Sequence, residues 1–449
     1  MMNLFDAAYC VGALALSPIW ARKGREGWRE RLGHAPALGE KGDANRPRVL
    51  LHAVSVGEVS ALSTLVPKLL PRAEVVVATT TDTGTARAKK LFGELCPIVR
   101  YPLDFSWSVK RFLDAVRPDV VGLVELEVWP NFVRACQARG VPVAVINGRL
   151  SAKSFAGYTK LKPVLGATFR RLSKVGAQDE TYAKRFAAMG VSPQRLSVTG
   201  SMKWDSALGA LNELIAQGGE ESLSMAHGRG GAALVKGASE LAAELGIDPN
   251  RPLIVAGSTA EGEEKLISDA CPTGVQLLCA PRKPERFDRA AADMPMCVRR
   301  SQKRGNAGVG ASVKRASGTS RAHTDRFLLD TLGELRQAYA LADLVVIGRS
   351  FVKLGASDPL EPAGLGKAVI VGPNYANFQT IVDELKAKQA ISVVHPGQLR
   401  TKIEELLRNR SACATMAANA RACIRMHAGA SDRHAEMLLG LVQDQRICG

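Results

Sequence analysis

A chain of 449 residues exceeds what one hydrophobic core usually supports, and its 46% hydrophobic and 23% charged residues exclude disorder over most of the length. The excess of 60 Lys+Arg over 43 Asp+Glu, a formal charge of +17, biases the chain toward polyanions: nucleic acid, phosphorylated substrates or an anionic membrane surface. Only 5% of residues are aromatic, and no stacking motif, Cys/His zinc module or basic DNA-binding helix is present, which sets nucleic acid aside.

The first apolar segment, residues 4–20 (LFDAAYCVGALALSPIW), is interrupted by Asp6 and Pro18 and followed by Arg22, Lys23, Arg25, Arg29 and Arg31. That is an anchor pattern, marginal against the ~20 apolar residues of a spanning helix. Its cations would hold the carboxyl end on the cytoplasmic side. The alternative is a first helix packed on a soluble domain. No A-x-A cleavage site follows, so residues 1–33 are expected to be a retained, membrane-associated segment with the bulk of the chain in the cytoplasm. Nine scattered cysteines without a C-x-x-C pair fit reduced thiols packed as small hydrophobes in that compartment.

Short β-branched runs then alternate with helical spacing. Residues 49–54, 75–80, 120–124 and 141–146 read as strands, and 61–70, 85–95, 107–116 and 131–139 as helices, which makes a βαβ lobe with a parallel sheet over 34–210. Residues 211–250 are expected to be a linker or insertion, Gly-rich over 218–237. A second Rossmann-like lobe spans 251–449, with strands at 253–256, 275–279, 344–347, 368–371 and 390–394, a mobile loop at 301–325, and helices over 399–442. The expected class is α/β, two Rossmann-like lobes facing a central cleft, the GT-B glycosyltransferase outline. Nucleotide-sugar epimerases and many dehydrogenases share that outline, so function has to come from residues at the carboxyl ends of strands. No G-x-G-x-x-G follows the first strand of either lobe, which argues against a nicotinamide-dependent dehydrogenase.

The first strand runs into HAVSVGE (52–58), placing Glu58 at a strand-to-helix turn beside Gly57. A sugar hydroxyl is a weak nucleophile, and a transferase that attacks an anomeric carbon needs a positioned base such as a carboxylate. Glu58 equally fits a helix-start acid stabilised by the helix dipole. The strand at 120–124 ends in Glu125 and Glu127, which share one side of an extended segment. Two like carboxylates there either orient polar substrate groups and raise one another's pKa or are exposed acids before Pro130; the neighbouring Trp129 and Asn131 favour a site.

HAVSVGE, TTTDTGTARA (79–88), YPLDFSWSVKRFL (101–113), RPD with VELEVWPN (117–131) and INGRLSAKSF (146–155) together resemble the Kdo (3-deoxy-D-manno-octulosonic acid) transferases of Gram-negative lipopolysaccharide synthesis. The resemblance continues through VTGSMKWD (198–205), AGSTAEGEE (256–264), APRKPERF (280–287) and DPLEPAGLGKAVIVGPNYANF (358–378). It implies a GT-B enzyme with an amino-terminal membrane anchor, at the cytoplasmic face of the inner membrane among its lipids; the acids singled out are not interleaved with His or Asp at ligand spacing, so transfer without metal or cofactor is expected. The first lobe would bind a lipid A precursor (lipid IVA) and the second CMP-Kdo, with inverting transfer to a glucosamine 6-hydroxyl.

Carried onto this chain, Glu58 matches the family's proposed base, and Glu125 or Glu127 the second acidic site. For the donor, the resemblance points to Arg282, whose guanidinium suits phosphate or carboxylate, to Arg286, and to Lys203 as a phosphate contact. Ser350, Gly355 and Glu361 match a loop and an acid suited to phosphate and ribose, and Asn377 either binds nucleotide or caps a helix. The chain departs from the family at Ser201, where Asn is usual. It departs again at Gly348 and Arg349, where a glycine pair is expected, and at 355–358, where Gly-Ala-Ser-Asp replaces Gly-Gly-His-Asn. Those changes leave two rivals open: a GT-B transferase or epimerase using another nucleotide sugar, and a catalytically silent protein that binds nucleotide or lipid.

Overall fold

The computed structural model describes residues 3, 5–11, 26–39, 46–225, 235–304 and 325–448. The chain divides into two compact units, residues 1–206 with 427–449, and residues 207–426.

The first unit holds a seven-stranded sheet: β1 (Arg48–Ala53), β2 (Glu74–Thr79), β3 (Ile98–Arg100), β4 (Val120–Val124), β5 (Val143–Gly148), β6 (Lys174–Ala177) and β7 (Leu196–Val198). Its order is β3-β2-β1-β4-β5-β6-β7, and every pairing is parallel. The runs RVLLHA, VVGLV and VAVING are buried along their whole length, as a parallel sheet covered on both faces requires. One face packs Val49, Leu51 and Val120 against Leu62 and Leu65. The other packs Leu50, Val121 and Leu123 against Phe112 and Phe132. The chain winds outward from β1 to β3 and then crosses back to β4. The ends of β1 and β4 therefore form the switch point where open α/β sheets bind ligands.

The second unit repeats the plan with β8 (Leu253–Thr259), β9 (Gln276–Pro281), β10 (Val298–Arg299), β11 (Arg326–Leu328), β12 (Leu344–Ile347), β13 (Ala368–Val371) and β14 (Ser392–Val393). The order β10-β11-β9-β8-β12-β13-β14 is again all parallel, and its switch point lies between β8 and β12.

Two expectations change. The linker expected at 211–250 is helical on both sides: helix Met202–Met225 runs into it, and helix Ala238–Leu245 buries Leu241 and Leu245. Residues 226–234 lie outside the described residues, as do 305–324 of the expected mobile loop. The carboxyl-terminal helix Ala430–Cys448, expected with the second lobe, belongs to the first unit. Its Leu438, Leu439 and Val442 join Val49, Leu51 and Val120 in one core, covering a sheet face that water would otherwise meet. Asp205 fixes the entry to that helix by accepting the N–H groups of Gly429 and Ser431.

Residues 12–25, the heart of the expected anchor, lie outside the described residues; residues 5–11 are helical. Asp6 is 1% exposed and accepts from the Ser106 N–H at 2.7 Å and from Asn131 Nδ2 at 3.1 Å, which ties this helix to the first unit. Among the described residues no helix is long and apolar enough to cross a membrane.

All five tryptophans (20, 28, 107, 129 and 204) fall within residues 1–206, so their fluorescence reports the first unit. Leu438→Ala should lower that unit's stability by about 3 kcal/mol, seen as an earlier urea midpoint by tryptophan emission. An unmoved midpoint would contradict the placement of this helix.

Candidate functional site

At the carboxyl end of β1, Ser55 opens helix Val56–Ala61 with a reciprocal cap: its Oγ accepts the Glu58 N–H, and the Glu58 carboxylate reaches back to the start of the turn. That carboxylate accepts from the Val54 N–H at 2.9 Å, the Ser55 N–H at 3.3 Å and Ser55 Oγ at 2.7 Å. Glu58 is thus the helix-start acid that the sequence allowed, and it is also half-buried at the switch point.

β4 delivers the other two acids to the same place. Glu125 lies just past the strand in the left-handed region, φ 60°, with its N–H bonded to the Ile146 carbonyl at 3.0 Å. Burial and then the charge of Glu58 raise its pKa, while Arg149 and Lys203 oppose the rise. Glu127 is pushed up to about 7, chiefly by burial and further by Glu58 and Glu125, against a hydrogen bond from Trp129 Nε1 at 2.9 Å. Lys203, expected as a phosphate contact, lies in the first unit, and its charge reaches Glu125. Asn131 is a structural residue rather than a site group: it is 1% exposed, and its side chain bonds Asp6 and the Asp104 carbonyl.

In the second unit the loop after β12 is organised by Glu263, a fully buried carboxylate that accepts the N–H groups of Ala260 (2.8 Å), Arg349 (2.6 Å) and Phe351 (2.9 Å). Ser350 is committed to the fold: buried, it donates to the Ile347 carbonyl at 2.5 Å and accepts the Gly372 N–H at 2.7 Å. Gly348 passes so close to β8 that a Cβ would stand 2.5 Å from the Ser258 carbonyl oxygen. Arg349 and Ala356, where the resemblance expects glycine, keep left-handed backbone at φ 62° and 66°, a strain of about 1–2 kcal/mol each for residues bearing a Cβ. Gly355 (φ 81°) and Asn377 clip the loop: the Asn377 N–H donates to the Gly355 carbonyl at 3.0 Å, and its Nδ2 to Leu354 at 2.9 Å. Asn377 therefore holds the loop and caps no helix; the helix Gln379–Ala387 has no side-chain cap.

Arg286 is likewise spoken for. It grips the fully buried Glu264 through both guanidinium nitrogens at 3.0 Å, because a carboxylate taken out of water requires a counter-charge. Arg282 is exposed and within the electrostatic reach of Tyr339. Glu361, raised first by burial and then by Asp358, faces the same tyrosine, which is buried. The charges of Arg282 and Glu361 thus both reach the buried Tyr339. Sequence reasoning passed over Tyr339, Glu263 and His52; the last two lay inside motifs already singled out, where only their neighbours were chosen.

The profile of the family described as 3-Deoxy-D-manno-octulosonic-acid transferase (kdotransferase) matches residues 26–206. A 3-deoxy-D-manno-octulosonic acid transferase of Bordetella pertussis is 32% identical, over 96% of this chain and 98% of that one. Its counterpart in Haemophilus influenzae is 30% identical, over 85% and 84%. Among solved structures, the Neisseria meningitidis UDP-GlcNAc 2-epimerase matches with a TM-score of 0.57 at 12% identity, covering 88% of this chain and all of that one. Anabaena HepE, solved with UDP-glucose, matches with 0.55 at 14%, covering 90% and 99%. At these identities the likeness is one of fold, the two-lobed GT-B arrangement.

Folding favours the protonated form of Glu127, so its contribution to stability is full below its ordinary pKa of 4.5 and is lost as pH rises through about 7. Relative to Glu127→Gln, the wild type should lose about 3 kcal/mol across that window, measured by urea unfolding at a series of pH values. A pH-independent difference would contradict the raised carboxyl. Arg286→Ala should cost the second unit about 3 kcal/mol by circular dichroism, since it strands the buried Glu264. Unchanged stability with weakened CMP binding would restore Arg286 to the donor site.

Proposed function

The chain belongs to the 3-deoxy-D-manno-octulosonic acid (Kdo) transferase family, and on that premise we propose that it moves Kdo from CMP-Kdo to the glucosamine 6-hydroxyl of a lipid A precursor, lipid IVA. The reaction is inverting and metal-independent, and it takes place at the cytoplasmic face of the inner membrane. The observation that carries the reading is the gathering of Glu58, Glu125 and Glu127 at the ends of β1 and β4, with two of the three carboxyls pushed toward their neutral forms. Carboxyls raised in this way can stay neutral near pH 7 and donate a hydrogen bond to a substrate oxygen.

Glu58 takes the proton of the attacking hydroxyl as the new bond forms at the anomeric carbon, and the bond from that carbon to the CMP phosphate oxygen breaks. Phosphate leaves with the electron pair, so the protein's remaining work is to orient the reactants and to balance the departing charge. Arg282 suits the CMP phosphate and Glu361 the ribose; guanidinium suits phosphate because its planar N–H groups bind two oxygens at once. Lys203, near Glu125, offsets the negative charge of the acceptor side. Membrane association fits the +17 formal charge and the basic run that follows the first apolar segment.

The test is transfer from freshly generated CMP-Kdo to a tetraacylated lipid A precursor, with the lipid followed by mass. Wild type should give product at a rate unaffected by EDTA. Glu58→Gln should lower kcat by ~10²–10⁴ with little change in KM, the range a positioned general base contributes. Full activity in that variant would remove Glu58 from the base role, and absence of transfer by wild type would sink the substrate assignment.

A further inference from the structure

His52 is the fifth residue of β1 and is completely buried. Its Nδ1 lies 3.2 Å from the Ala78 carbonyl oxygen on β2. A carbonyl only accepts, so Nδ1 carries the proton, and Nε2 of the neutral ring is a bare acceptor. Burial keeps the ring neutral by pushing its pKa down to about 3. Tyr101 stacks on it with 3.6 Å between ring centroids, closing one face. Nε2 is left buried without a hydrogen-bond partner among the described residues, and it faces Glu127 Oε2 at 4.0 Å.

Two acceptors facing each other in a largely desolvated place repel unless a proton lies between them. The imidazole cannot supply it, because its one proton is held by Ala78. Glu127 can. The groups around that carboxyl favour the protonated form: Glu58 from the following helix and Glu125 from the same segment both add negative charge. Tyr158, from helix Ala152–Lys160, is also within its field, and Arg149 and Lys203 act on Glu125. Trp129 Nε1 donates to Oε2, which a hydroxyl oxygen can accept while donating its own proton onward.

We propose that His52 is a positioning residue for the transfer: its Nε2 accepts a hydrogen bond from the protonated Glu127 carboxyl and holds Glu127 as the neutral acid, leaving the anionic charge on Glu58. The kinetic consequence rests on the Kdo-transfer reading above; the bond itself does not. Closing the 4.0 Å gap requires a turn of the Glu127 side chain, and catalytic hydrogen bonds are commonly long before substrate binds.

The experiment compares wild type, His52→Phe and His52→Gln. Phenylalanine keeps the ring that stacks on Tyr101 and removes the acceptor, whereas the glutamine amide oxygen reaches the position of Nε2. Two quantities are read: the alkaline limb of the pH–kcat profile for Kdo transfer, and the titration of the Glu127 carboxyl by infrared difference spectroscopy, assigned with Glu127→Gln. Both should move down by about one pH unit in His52→Phe, the equivalent of one lost hydrogen bond, and return toward wild type in His52→Gln. A uniformly slower His52→Phe enzyme with both titrations unmoved would reduce His52 to packing and overturn the proposal. Tryptophan emission under urea confirms that each variant is folded; if His52→Phe is not, the His52→Gln titration decides alone, and a shift as large as that expected for phenylalanine overturns the bond. If wild type transfers no Kdo, the functional reading fails, and the infrared titration still decides whether the bond exists.

Discussion

The N–H groups at the start of the helix that follows the first strand of each sheet must find acceptors, and in both units a glutamate supplies them. Glu58 reaches back to Val54 and Ser55 in the first unit, and Glu263 reaches back to Ala260 in the second. The same local demand has two outcomes because the neighbouring strand ends differ. β4 runs out into two further acids, so Glu58 stays half-buried among carboxyls and retains chemistry. β12 runs out into a loop whose Arg349 and Phe351 N–H groups saturate Glu263, which becomes scaffold.

Buried and half-buried acids in this protein are reconciled with the interior in three ways. Glu264 takes a cation, Arg286, in a two-pronged pair. Asp104 takes hydrogen bonds, from the N–H groups of Asn131 and Phe132 and from the Tyr9 hydroxyl, yet burial still lifts it to about 7. Half-buried Glu127 has its carboxyl pushed up to about 7, chiefly by desolvation. The solutions differ in consequence: an ion pair resists titration, whereas carboxyls lifted to about 7, as Asp104 and Glu127 are, exchange protons near neutral pH.

Backbone strain gathers at the same edges. Glu125 after β4, Ser258 near the end of β8, and Arg349 and Ala356 after β12 all hold positive φ without being glycine. Such conformations persist only where surrounding hydrogen bonds over-determine them. The loop after β12 meets that condition through Glu263, the Ala356 N–H to Arg349 carbonyl bond at 2.9 Å and the Ser357 N–H to Gly348 carbonyl bond at 3.0 Å. The loop therefore keeps its turns at both positions where this chain departs from the glycine that the resemblance expects.

β4, β12 and β13 were legible to the residue, because uninterrupted apolar runs buried on both faces admit one local reading. The short strands β3, β6, β7, β10 and β11, at the sheet edges or next to them, were not, since two to four residues carrying Arg, Lys or Ser have no period to read. The acidic trio was legible as well, each acid lying just past an apolar run in a motif of family order. What residues 52, 263, 264, 286, 350 and 430–448 do was decided by the tertiary structure alone. A hydrogen-bond partner or a covered sheet face is set by which distant segment arrives beside it, and that adjacency has no trace in local spacing. Sequence by itself determined two parallel-sheet lobes and the acids at a strand end; only folding decided which polar side chains are consumed in holding the loops and which remain for chemistry.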